Sequence, residues 1–182
     1  MKIVRFLLAL LIFSISAAPL TQQDRDLLKQ LHFEDTEIFT QRSFNQLYNE
    51  AARDNKKFTL AVVKDVGSDR IFFFDLVSLF SYFETAKDKI FDNPLTRQAI
   101  ESIRIYRAPA EKYFLTPKPE LLRRTIGSLQ TFSKPHLLNR DDFEFVDEIK
   151  EKPHNGFYNY MVEHAIDTTN FVERAKKPRP IK

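Results

Sequence analysis

At Asp75 the apolar pattern of the chain changes period. Before it, Ile71-Phe72-Phe73-Phe74 is a short run of β-formers next to a turn, so residues 70–74 read as a strand. After it, Leu76, Leu79, Phe80 and Phe83 fall at i, i+3, i+4 and i+7, the spacing of one helical face. Asp is a strong N-cap residue, so strand and helix should meet in a corner at this position. The helical spacing fades in the polar residues 85–89, and Asp92-Asn93-Pro94 follows. The residue before a proline is pushed out of the helical region, which predicts a turn here and a short strand at 102–106. A competing reading makes Asn93 an N-cap and Pro94 the first residue of a helix running to about Ile105.

Upstream, residues 57–64 are rich in β-formers and 65–69, with Gly67, form a turn, so 57–74 reads as a β-hairpin. Residues 21–31 read as a helix capped by Thr21, with Leu27, Leu28 and Leu31 on one side. Ser43-x-x-Gln46 is a capping box, and Phe44, Leu47, Tyr48 and Ala51 make the helix face that follows. Downstream, 108–119 is punctuated by prolines and reads as irregular. A helix over 119–129 points Leu122, Ile126 and Leu129 inward, and 130–139 is a connector. Residues 141–150 read as a short helix aligning Phe145, Val146 and Ile149, and 157–176 as the longest helix, burying Phe157, Met161 (or Tyr160), His164, Phe171 and Val172. The expected fold class is α+β and mostly helical: a small β-hairpin and central helix flanked by N- and C-terminal helices.

Composition narrows the chemistry. The chain has 18 Phe and no Trp, so the core is expected to be aromatic-rich. It has no Cys, which removes disulfides, Cys-ligated zinc and a thiol nucleophile together. Only three Gly are present, too few for a phosphate-cradling loop. Residues 1–18 have the parts of a secretory signal in order: Lys2 and Arg5, an apolar 6–13, and small residues at 16–18. The competing reading is a buried N-terminal helix. With the signal removed, 26 Lys and Arg face 25 Asp and Glu, and residues 174–182 hold five basic residues and no acid. The body then lacks the charge excess of a nucleic-acid binder, and the basic tail 177–182 reads as a solvated end. The expected protein is exported, secreted or periplasmic, with no stable membrane span after signal cleavage.

Candidate catalytic groups are sparse. His32, His136, His154 and His164 show no metal-ligand spacing, and no HExxH, EF-hand or GxSxG string exists. His164 reads as a half-buried packing residue. Asp141, Asp142 and Glu144 read as acids enriched at a helix N-terminus rather than a catalytic pair. Tyr158 and Tyr160 read as amphipathic fillers rather than a stacking surface. No catalytic residue, metal or cofactor is expected.

The order hairpin, capped helix and Asn93-Pro94-Leu95-Thr96-Arg97-Gln98-Ala99-Ile100 loop resembles the second half of the U-box, the zinc-free relative of the RING domain in ubiquitin ligases. Phe74-Asp75, Leu79 and the loop stand where that family has an aromatic-Asp pair, an aliphatic residue and a DPxTRxPL-like string. The resemblance implies a module over 57–129, with a helical lead-in at 19–56 and a C-terminal helical segment at 130–176. It also implies that Tyr82, Pro94 and Arg97 face an E2 conjugating enzyme. Ala99 replaces the family's second loop proline, and the family's first E2-facing loop has no clear counterpart before the hairpin. The nearest apolar candidates for that contact are Leu60 and Val62. The implied role is an E3 ubiquitin ligase-type scaffold, delivered to a host cell. The alternatives are a secreted non-catalytic protein-binding module and an exported α+β protein unrelated to ubiquitin.

Overall fold

The computed structural model describes residues 19–54, 56–86, 91–108 and 138–171. The expected signal at 1–18, the helix at 119–129, most of the connector at 130–139 and the basic tail lie outside these residues. Among the described residues the order is α1 (Gln22–Lys29), α2 (Phe44–Arg53), β1 (Phe58–Asp65), β2 (Ile71–Asp75), α3 (Leu76–Thr85), β3 (Ile100–Ala108), β4 (Glu144–Ile149) and α4 (Gly156–Glu163). The strands form one antiparallel sheet in the order β2-β1-β3-β4.

The chain is therefore α+β but not mostly helical, which corrects the expected fold class. A four-stranded sheet forms the middle layer instead of a small hairpin. Alternation along the strands sorts the core into two parts. Ala61, Val63, Phe72, Phe74, Ile103 and Ile105 pack with α3 and α4. Phe58, Leu60, Val62, Ile71, Phe73 and Tyr106 pack with α1 and α2 on the opposite face. On the first face the rings of Phe80 and Phe157 lie 4.4 Å apart and those of Phe83 and Phe157 5.1 Å apart, joining α3 to α4.

The caps expected from sequence are in place. Asp75 accepts from the Ser78 N–H (2.9 Å) and hydroxyl (2.7 Å) at the start of α3. Thr21 with Asp24, and Ser43 with Gln46, form capping boxes at α1 and α2. The α4 N-terminus is capped from another element: Glu84 Oε1 accepts from the Phe157 N–H at 2.7 Å. The α1 C-terminus is likewise served from afar. The Arg140 guanidinium donates to the carbonyls of Leu28 (2.9 Å) and Leu31 (2.9 Å).

Two downstream expectations are corrected. Residues 141–150 are not a helix: a 3-10 turn, Arg140–Asp142, leads into β4. A β-bulge explains the misleading spacing. Ile105 pairs with Asp147 and Tyr106 with Phe145, so Val146 is the extra residue and the alternation shifts by one. Phe145 then joins one half of the core while Val146 and Ile149 join the other. The long helix expected over 157–176 stops at Glu163. Ala165 takes a left-handed conformation (φ 51°), and the Ile166 N–H reaches back to the Met161 carbonyl at 2.8 Å, with Ala165 N–H to Val162 at 3.1 Å. This is a Schellman stop built on Ala, where Gly is the usual signal.

Candidate functional site

The 92–99 loop is held from two sides. Asp65, at the end of β1, is 1% exposed and uses both carboxylate oxygens. Oδ1 accepts from Asn93 Nδ2 at 2.8 Å and Oδ2 from the Thr96 hydroxyl at 2.7 Å. Asn93 is itself fully buried, and its Oδ1 accepts from the Leu95 N–H at 3.0 Å. Its backbone closes the loop, donating to Gln98 O and accepting from Arg97 N–H, each at 2.9 Å. On the hairpin side, Val66 N–H donates to Ala99 O at 2.9 Å. Of the two readings of this segment, the structure shows the turn; β3 begins only at Ile100.

The other anchor is α3. Arg97 is exposed and has φ 60°, a left-handed backbone that costs a non-glycine L-residue about 1–2 kcal/mol. Its Nη1 donates to the Tyr82 hydroxyl at 2.5 Å. The Tyr82 ring packs 5.4 Å from Phe39. Val66 (58% exposed) and Leu95 (43% exposed) add apolar surface to the hairpin turn and the loop.

The structure thus brings Tyr82 and Arg97 together but separates the other expected contact residues from them. Pro94 is buried and braces the loop from within. Leu60 and Val62 are 0% and 2% exposed, on the sheet face covered by α1 and α2, away from α3. β1 lies between β2 and β3 with helices on both sides, so its apolar run is core. Neither Leu60 nor Val62 can stand in for the missing first loop. The Asp65–Asn93–Thr96 clamp was not anticipated from the sequence. Its signal was an Asp closing a strand and an Asn and a Thr within a tight proline turn, all side chains that favour local polar bonding.

A second polar cluster ties α4 to the sheet. The Asp147 carboxylate accepts from the Tyr160 hydroxyl at 2.9 Å and lies 3.2 Å from His164 Nε2. The His164 ring stacks on Tyr160 at 4.0 Å, and Arg107 Nη2 donates to the His164 carbonyl at 2.7 Å. Burial, with the hydrogen bond to Asp147, pushes the Tyr160 phenol well above its ordinary range, so it stays protonated. His164 is half-buried as expected. Among the described residues no Ser or Thr hydroxyl bonds to this group, and its geometry is that of a staple.

A third cluster joins α1 to β3. Tyr106 donates to Asp24 Oδ1 at 2.7 Å and Arg104 Nη2 to the same oxygen at 2.8 Å. Burial opposes it, but the hydrogen bonds from Thr21 and Tyr106 and the Arg104 charge hold the Asp24 carboxyl below its ordinary value. Tyr158, half exposed, and Tyr160, nearly buried, do not form one stacking surface.

Among the described residues no group of three His, Cys, Asp or Glu side chains could hold a metal ion, and no helix is long and apolar enough to cross a membrane. In comparisons with known proteins, no family model, curated protein or solved structure matches the chain.

Proposed function

We propose that this chain is a U-box-like docking scaffold that engages an E2 conjugating enzyme through the edge formed by α3 and the 92–99 loop. It contributes no catalytic group. The observation that carries the reading is the exposed Arg97, held in a strained backbone on a clamped loop with its guanidinium on Tyr82. Residues kept in sparsely populated conformations cluster at binding and active sites, because a strained backbone persists only where its surroundings over-determine it. Arg and Tyr are also the side chains that most often dominate binding hot spots. The placement of the loop, against both the hairpin turn and α3, supports the family resemblance beyond its string of letters. In this reading the scaffold orients the loaded E2 for attack on its thioester, a positioning effect rather than acid–base chemistry. Val66 and Leu95 supply apolar surface around the Arg97–Tyr82 pair. The signal-like residues 1–18 would bring the scaffold to its site of action by export and delivery into a eukaryotic cell.

The test is discharge of ubiquitin from loaded E2 enzymes to free lysine, with and without the full chain. The chain should accelerate discharge by at least one E2 in a broad panel, and Arg97→Ala should abolish the acceleration while leaving the circular dichroism spectrum unchanged. No acceleration across the panel would overturn the ligase reading.

A second reading, a secreted protein-binding module that keeps the scaffold and has lost E2 docking, is favoured by the burial of Leu60, Val62 and Pro94. It is the reading that a negative discharge assay would leave.

A further inference from the structure

The loop between α1 and α2 holds a buried carboxyl that the docking edge does not use. Glu37 is 1% exposed. Its Oε2 accepts from the backbone N–H groups of Phe39 (3.0 Å) and Thr40 (2.7 Å). Its Oε1 is buried with no hydrogen-bond partner. The loop is closed around it by the Thr36–Ser43 bridge, by Glu37 N–H to Arg42 O (2.8 Å) and by Gln41 N–H to Glu37 O (2.9 Å), with Gln41 left-handed at φ 59°.

The groups packed around this loop explain why the carboxyl matters. From the junction of β2 and α3, the Asp75 carboxylate faces Glu37 with a like charge. From α3, Tyr82 meets the Phe39 ring at 5.4 Å, and from β2 Phe74 meets it at 5.9 Å. From the 92–99 loop, Arg97 is engaged by the Tyr82 hydroxyl. Within the loop itself, Arg42 turns outward to Glu50 on α2 and does not offset the Glu37 charge. An ionised Glu37 would therefore leave one carboxylate oxygen buried and unpaired beside a second carboxylate, a costly state. A protonated Glu37 keeps both backbone hydrogen bonds without that charge.

We propose that residues 36–43 form a proton-operated latch on α3, closed while Glu37 carries a proton and loosened when it ionises. Closed, the latch wedges Phe39 between Phe74 and Tyr82 and so fixes the ring to which Arg97 is bonded. Loosened, it withdraws Phe39 and frees Tyr82 to move. Burial, reinforced by Asp75, pushes the Glu37 carboxyl up to about 7, which places the transition between mildly acidic and mildly alkaline media. The latch is defined without any partner, so it stands or falls separately from the docking reading.

The test is an NMR titration of the full chain from pH 4 to 9, following the side-chain carboxyl carbons of glutamate and the ring signals of Phe39 and Tyr82. The Glu37 carboxyl should titrate near 7, and the two rings should shift with the same midpoint. Over pH 6 to 8, amide exchange at Phe39 and Thr40 should rise by about tenfold beyond the intrinsic base-catalysed increase, the factor that a carboxyl moved from 4.5 to about 7 implies. Glu37→Gln should abolish the shared transition. Asp75→Asn, which keeps a good N-cap, should lower the Glu37 and ring midpoints together. A Glu37 carboxyl that titrates near 4.5 would overturn the proposal, as would a ring transition that survives in Glu37→Gln.

Discussion

Replacing Asp65 with alanine tests how the 92–99 loop is held. The carboxylate is 1% exposed and makes two side-chain hydrogen bonds, at 2.8 Å to Asn93 and 2.7 Å to Thr96. Hydrogen bonds to a carboxylate contribute about 1.5–3 kcal/mol each, and removing the acceptor strands the Asn93 amide, which has no exposed surface to recover water. The expected loss is about 4 kcal/mol, a large share of the roughly 5–15 kcal/mol that holds a domain together. For a domain near this size that lowers Tm by about 8–16 °C. The next residue supplies the control. Lys64 pairs with Glu101 at 3.0 Å with both side chains well exposed, and Lys64→Ala should cost less than about 1 kcal/mol. Thr96→Val removes one of the two bonds and should cost about 1.5–3 kcal/mol. The double variant should depart from additivity by about the same 1.5–3 kcal/mol, since both changes remove the same bond. Urea unfolding followed by circular dichroism measures the four variants against the parent chain. If Asp65→Ala costs no more than Lys64→Ala, the clamp is not what fixes the loop.

Stability should also depend on pH through Glu37. Its folded-state value, about 7, lies above its ordinary 4.5, so the folded state holds the proton longer. Its contribution is complete below pH 4.5 and is lost as pH rises through 7. The upper limit of the loss is about 3 kcal/mol, from about 1.4 kcal/mol per unit. In urea unfolding, Glu37→Gln should flatten this window and gain stability at pH 8 relative to the parent chain. Glu84→Ala removes the cap of α4 and should cost about 1–2 kcal/mol. Gly156→Ala should cost a similar ~1–2 kcal/mol, because φ is +83° there and the new methyl meets Glu84 Oε1 at 3.1 Å. Thermal unfolding reads both. Arg140→Ala strands the Leu28 and Leu31 carbonyls and should cost about 2–3 kcal/mol, with hydrogen exchange rising first in α1.

Local signals in the sequence were reliable where a short-range rule fixes the backbone. Asp75, Thr21 and Ser43 cap their helices because their side chains reach N–H groups three residues on, which depends on no distant contact. Pro94 alone did not decide between turn and helix, since it also suits a first helical position; the left-handed Arg97 and the start of β3 at Ile100 exclude the helix. Features set by distant partners were not legible. Val146 bulges only because β3 lies beside it, and the bulge gave a strand the apolar spacing of a helix. Ala165 stops α4 without the glycine that would have marked it. Leu60 and Val62 looked available for a partner because nothing in the sequence of β1 shows that β3 and α2 will cover it. Tyr82 and Arg97 were expected near one another, and the structure joins them by a hydrogen bond. The clamp beneath it, which joins Asp65 to residues 28 and 31 positions away, depends on the fold.

The proposed docking edge is tested most directly by an NMR titration of the full chain with a panel of human E2 enzymes. Shifts should be confined to Val66, Tyr82, Leu95 and Arg97, and be lost in Arg97→Ala. A flat titration on a well-folded sample, or shifts centred on α1 and α2, would contradict it and leave the search to partners of another face.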